Sequence, residues 1–215
     1  MESEVCGLFA LTIRQVSLVM NSKNGQEFPQ SFDWSMWKDV RGNWCAFMLP
    51  VMLFAWGQPL TEFCLFIVMA SVLVLIAIYD MRYGLIYDRL VLLLLLLGMI
   101  PLLLGDTAWE TACVGALLGA VLLGSLRALS GGGLGLGDVK LSVPLGLWLG
   151  WEDLLLCLLL ASVAGLVYGA WLLFVCRRLS RQTPLPFGPF LALGALAAFA
   201  WGAAIRAYIE VLLWI

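Results

Sequence analysis

Over most of this chain, apolar residues do not alternate with polar ones at the period of an amphipathic helix or strand; they run on unbroken. Phe63 to Tyr79, Leu90 to Leu104 and Leu154 to Val175 hold no charged residue at all. A helix that is apolar on every face has no side for water, and roughly 20 such residues suffice to cross a bilayer. The runs and their interruptions predict membrane helices over residues 44–57, 60–80, 86–104, 108–129, 138–150, 153–176 and 187–213. The first is marginal in length and the fifth is short. The expected fold is an all-α, polytopic helical membrane protein of about seven transmembrane helices, within a range of six to eight.

Upstream of these runs the pattern changes. Val5 to Met20 is only moderately apolar, is interrupted by Arg14 and Gln15, and fits an interfacial helix. Asn21 to Asn43 is polar and turn-rich, and carries Trp34 and Trp37, aromatic residues that favour the headgroup region. The chain therefore divides into a cytoplasmic or interfacial segment, residues 1–43, and a transmembrane unit, residues 44–215. Met1 to Val5 has two acids and no base, the reverse of a secretory signal's basic start, so the membrane helices are expected to direct insertion themselves.

Composition agrees: 63% of the residues are hydrophobic, where a soluble domain has about half, which leaves too few polar residues to clothe a soluble surface. The net charge of -2 says little, but its distribution says more. Arg82, Arg89, Arg127, Lys140, Arg177, Arg178 and Arg181 fall in every second connection, and Lys23, Lys38 and Arg41 precede the first span. The alternate connections carry Glu62, Asp106, Glu110, Glu152 and Asp153 and no base. Basic residues mark the cytoplasmic side, so the pattern predicts a cytoplasmic N-terminus in the cytoplasmic (inner) membrane and an outer C-terminus. Arg14 and Arg206 are the two that do not fit. No basic run points to nucleic acid.

The absence of histidine removes Ser-His-Asp and Cys-His mechanisms. The six cysteines form no C-x-x-C pair and read as small apolar packing residues, so no metal site is predicted. Any hydrolytic chemistry then falls to carboxylates, lysine, tyrosine or cysteine. Two acids stand where apolar surroundings make them expensive: Asp80, at the cytoplasmic end of the second span, and Asp138, opening the fifth after Gly131 to Gly137. The charge pattern puts both on one side at similar depth. A pair of carboxylates that share a proton can hydrolyse a peptide without metal or histidine. Helix dipoles are expected to split such a pair: Asp138 at a helix N-terminus favours its ionised form, and Asp80 at a C-terminus disfavours it. That reasoning assigns Asp138 as base and Asp80 as acid. The glycine run is no phosphate loop, because Asp138 stands where a Walker A motif needs lysine. The bland reading of such acids is interfacial anchoring; it suits Asp88 as a helix start, and snorkelling equally suits Lys140 and Arg82.

Three segments resemble the type IV prepilin peptidases: YDMRYGLIYDRL (Tyr79 to Leu90), GLGDVKL (Gly135 to Leu141), similar to that family's G-x-G-D-x-K-L signature, and PFGPFLALG (Pro186 to Gly194). The resemblance covers about residues 59 to 200. It implies an intramembrane aspartic endopeptidase with Asp80 and Asp138 catalytic, and with Gly135, Gly137, Lys140 and Asp88 as signature or supporting residues. It further implies prepilin or pseudopilin substrates cut after a leader glycine at the cytoplasmic face, held among membrane lipid, with no cofactor for proteolysis. Tyr87 stands where the family usually has proline. The paired C-x-x-C motifs that larger members carry, associated with methylating the new N-terminus, are absent from the sequence, so S-adenosylmethionine is implied only if methyltransferase activity is present. Competing readings are another G-x-G-D protease of the presenilin type and a non-catalytic assembly factor or ion carrier.

Overall fold

The computed structural model describes residues 60–105, 107–174 and 186–213. The segment 1–43, the predicted span 44–57 and the cluster Arg177, Arg178 and Arg181 lie outside the described residues. These form helices only: α1 (Leu60–Tyr83), α2 (Asp88–Leu104), α3 (Trp109–Leu129), α4 (Leu136–Phe174) and α5 (Gly188–Leu213).

Their ends follow from local chemistry. α1 closes at Gly84, whose φ of 64° is the left-handed conformation that a side chain resists, and whose N–H bonds the Asp80 carbonyl at 2.8 Å. α2 starts at Asp88, an acid in the first turn where the helix dipole favours it. Arg127 in the last turn of α3 complements the opposite pole, and its guanidinium also donates to the Leu134 carbonyl, tying down the glycine-rich loop.

α4 is two helices joined at Gly150, where φ 76° and ψ 176° interrupt the spiral. Its contacts show that the two arms run in opposite directions. In the first arm Gly137 meets Ile86 and Trp148 stacks on Phe199 at 5.0 Å; in the second Asp153 lies by Gly202, Cys157 bonds the Leu191 carbonyl, and Gly165 lies by Phe190. The break is thus a hairpin, and it falls on the last residue of the span predicted at 138–150, just before the one predicted at 153–176. Four helical stretches are long and apolar enough to cross a membrane: Phe63–Tyr83, Trp109–Leu129, Leu136–Trp171 and Gly188–Val211. α2 has 17 residues and is not among them, so the described residues do not reach the expected seven.

Packing rests on small residues. Lipid tails give apolar side chains no reason to leave them, so helices associate where backbones approach closely. On α3, Gly115 faces the Gly146 carbonyl and Gly119 faces Ser142, so small residues four apart on one helix meet small residues four apart on the other. A Cβ on Gly115 or Gly146 would overlap backbone atoms, so neither can be replaced without parting the helices. Between α1, α4 and α5 the core is aromatic instead: Phe66 stacks on Phe199 at 4.8 Å, with Trp148 on the same Phe199 ring. The outward side of α3 leaves Leu117, Val121 and Leu129 exposed, as suits lipid.

Candidate active site

Three stretches far apart in sequence meet at one end of the helices: the α1–α2 turn, the start of α4 and the start of α5. Asp80, in the last turn of α1, is 6% exposed, and Asp138, in the first turn of α4, is equally buried. Among the described residues these are the only buried charged side chains, and a charge is not buried without compensation or use. The two lie close enough for the charge of one to act on the other.

Each carboxylate is held by a glycine amide. Asp138 accepts from the Gly135 N–H, reaching back over the helix start as a capping acid does. Asp80 Oδ2 accepts from the Gly188 N–H at 2.9 Å, in a buried contact. Asp138 Oδ1 is also buried and finds no hydrogen-bond partner among the described residues. These contacts correct the expected dipole split. Asp80 does end α1, but α5 runs antiparallel beside it and brings its own N-terminus to the carboxylate. Both acids therefore stand at the positive ends of helices, and the dipoles give no reason to call one the base and the other the acid.

The remaining sequence candidates frame this pair. A Cβ on Gly137 would come within 2.8 Å of Ile86 Cβ, so the missing side chain lets the α1–α2 turn seat against α4. Lys140 Nζ bonds both oxygens of Asp88, at 2.8 and 2.9 Å, fastening the start of α2 to the same turn of α4. Their side chains are 52% and 73% exposed, so this ion pair belongs to the rim and not to the buried pair. Asp88 is a helix start, as expected, and also Lys140's partner. Sequence reasoning missed Tyr79, fully buried beside Asp80 with its ring 5.9 Å from that of Tyr83 and 5.5 Å from that of Tyr87. The i, i+4 and i, i+8 spacing of the three tyrosines was the available signal. It missed Gly188 as well, although the glycine stands in the third quoted segment. Among the described residues no three His, Cys, Asp or Glu side chains gather to hold a metal.

At the far end, Arg206 pairs with Asp153 and lies 3.4 Å from Glu152. The one outer arginine that broke the charge pattern among the described residues is thus neutralised by the two acids of the α4 hairpin.

Residues 67–170 match the type IV leader peptidase family, a stretch that holds both acids and stops short of Gly188. The chain is similar to the prepilin leader peptidase/N-methyltransferase of Aeromonas salmonicida (strain A449), with 39% identity over 149 residues, 66% of this chain and 51% of the relative. It is similar also to those of Stutzerimonas stutzeri, with 40% identity over 63% of this chain and 48% of the relative, and Pseudomonas aeruginosa, with 38% over 64% and 50%. The chain spans about half the length of these curated relatives. No solved structure matches it.

Proposed function

We propose that this chain, whose residues 67–170 match the type IV leader peptidase family, is an intramembrane aspartic endopeptidase that removes leaders from type IV prepilin or pseudopilin precursors. The observation that carries this reading is the convergence of the three sequence segments on two buried carboxylates, the charge of Asp80 acting on Asp138. In the reaction the ionised member of the pair takes a proton from water as the oxygen attacks the scissile carbonyl. The protonated member donates to the carbonyl oxygen, and the tetrahedral intermediate then releases the amine with a proton returned to it. Asp138 Oδ1, buried and without a donor among the described residues, is the oxygen that would meet that water. Two carboxylates this coupled share their titration, so the roles of acid and base belong to the pair.

The site lies at the cytoplasmic face, as Arg82, Arg89, Arg127 and Lys140 all occupy its end of the helices. The wider topology is about seven spans with a cytoplasmic N-terminus, and the substrate is cut after a leader glycine. The relatives' names also include N-methyltransferase, which consumes S-adenosylmethionine. That molecule is needed only for the second activity, and proteolysis by the carboxylate pair proceeds without it.

The test is cleavage of tagged prepilins by the purified full chain, with mass spectrometry of the product's N-terminus. Asp80→Asn and Asp138→Asn are each expected to lower kcat by about a thousandfold or more while the protein stays folded. Variants that cut as well as wild type would show that the pair is not catalytic and would favour the assembly-factor reading.

A further inference from the structure

We infer that Gly188, outside the stretch that matches the family, is the positioning residue for Asp80, holding its carboxylate through the first free amide of α5; this rests on the reading of Asp80 as catalytic. The first N–H groups of a helix have no partner within it. In α5 the amides of Phe190 and Leu191 both turn back to the Phe187 carbonyl, at 3.0 Å each, and Pro189 has no N–H to offer. Gly188 supplies the remaining donor, and it is spent on Asp80 Oδ2.

The residue type follows from space. A Cβ at position 188 would stand 2.6 Å from Asp80 Oδ2, 3.1 Å from its Cγ and 3.2 Å from its Cβ. No positive φ is involved, so alanine is conformationally permitted there, and the three atoms that its Cβ would meet first all belong to Asp80. Position 135 has the same design on the other acid: an amide bonded to Asp138, and a Cβ that would stand 2.9 Å from Asp138 Oδ2. Each acid of the pair is aimed by a glycine too small to push it away. One of these glycines lies just before its acid in sequence and the other 108 residues beyond.

The experiment uses the full chain in nanodiscs, with Gly188→Ala and with glycolic acid inserted at position 188 by cell-free translation. The glycolate ester adds no bulk and deletes the donor; it also weakens the Phe187 carbonyl as an acceptor, so the Phe190 and Leu191 amide signals are followed to verify that the start of α5 is intact. NMR of the wild-type Gly188 amide should show a downfield proton that titrates with pH and becomes flat in Asp80→Asn. In cleavage of a tagged prepilin, the ester should lower kcat about tenfold and Gly188→Ala about a hundredfold, with KM within twofold. Their pH–rate profiles should be displaced from that of wild type. Gly169→Ala, at a position open to solvent or lipid, is the control. An amide that does not titrate overturns the inference whatever the cleavage assay shows. A titrating amide with wild-type kcat and profile in the ester reduces Gly188 to a structural cap and overturns it too, leaving the protease reading intact. Failure of wild type to cut any prepilin would sink the protease reading, and the catalytic half of this inference with it.

Discussion

Gly137 and Ile86 meet so closely that one added carbon should be felt at Asp138, the next residue. Gly137→Ala brings a Cβ to 2.8 Å from Ile86 Cβ and must push the α1–α2 turn away from α4. We expect cleavage to fall at least tenfold, and Ile86→Ala to restore most of it in the double variant. A double-mutant cycle should return a coupling of about 1–2 kcal/mol. Gly84 differs in kind. It has open space around it and a φ of 64°, so Gly84→Ala should cost roughly 1 kcal/mol of stability from backbone strain, measurable by thermal unfolding, without a comparable loss of kcat. The two acids were legible at this scale because an ionisable residue in an apolar run has few cheap explanations. The Gly188 contact was not legible, because no local pattern relates an amide to a carboxylate so far away in sequence.

Between elements, two kinds of fastening divide the work. The Lys140–Asp88 pair spans α4 and α2 with good bidentate geometry, yet both side chains are mostly exposed. Exposed pairs contribute about 0–1 kcal/mol, so Asp88→Ala should lower stability by less than about 1 kcal/mol. The charge-swapped pair Asp88→Lys with Lys140→Asp should recover part of that in unfolding experiments at low salt. The glycine crossing of α3 on α4 is the stronger joint: Gly115→Val has nowhere to place its side chain, and loss of folded protein is the expected outcome by size-exclusion in detergent. Helix positions were legible because hydrophobic runs and the charges between them report where a chain enters and leaves lipid. Glu152 and Asp153 marked the turn that Gly150 makes. Which face of α3 packs was not legible, because glycine and alanine are scattered along an apolar helix and periodicity cannot separate a packed face from a lipid-facing one.

For the whole molecule, both acids and four basic residues share one end, and the Arg206–Asp153 pair closes the other. Membrane-impermeant maleimide should therefore label Ser130→Cys only from the cytoplasmic side of membrane vesicles and Glu152→Cys only from the outside, in a background free of native cysteines. The outer arginine was unreadable from charge counting, since its neutralising partners sit on another helix. The length of the first arm of α4 carries a consequence for the solvent. Residues 136–149 make a helix about 21 Å long, against a hydrocarbon core of about 30 Å. With Gly150 set at the far boundary of that core, Asp138 then sits about 12 Å inside the near boundary of a bilayer of ordinary thickness. Either the lipid thins there or a dent of water follows the arm downward, and hydrolysis needs that water. Turnover should consequently depend on acyl-chain length, falling as phosphatidylcholine is lengthened from 14 to about 22 carbons, so that the bilayer itself sets how wet the reaction is.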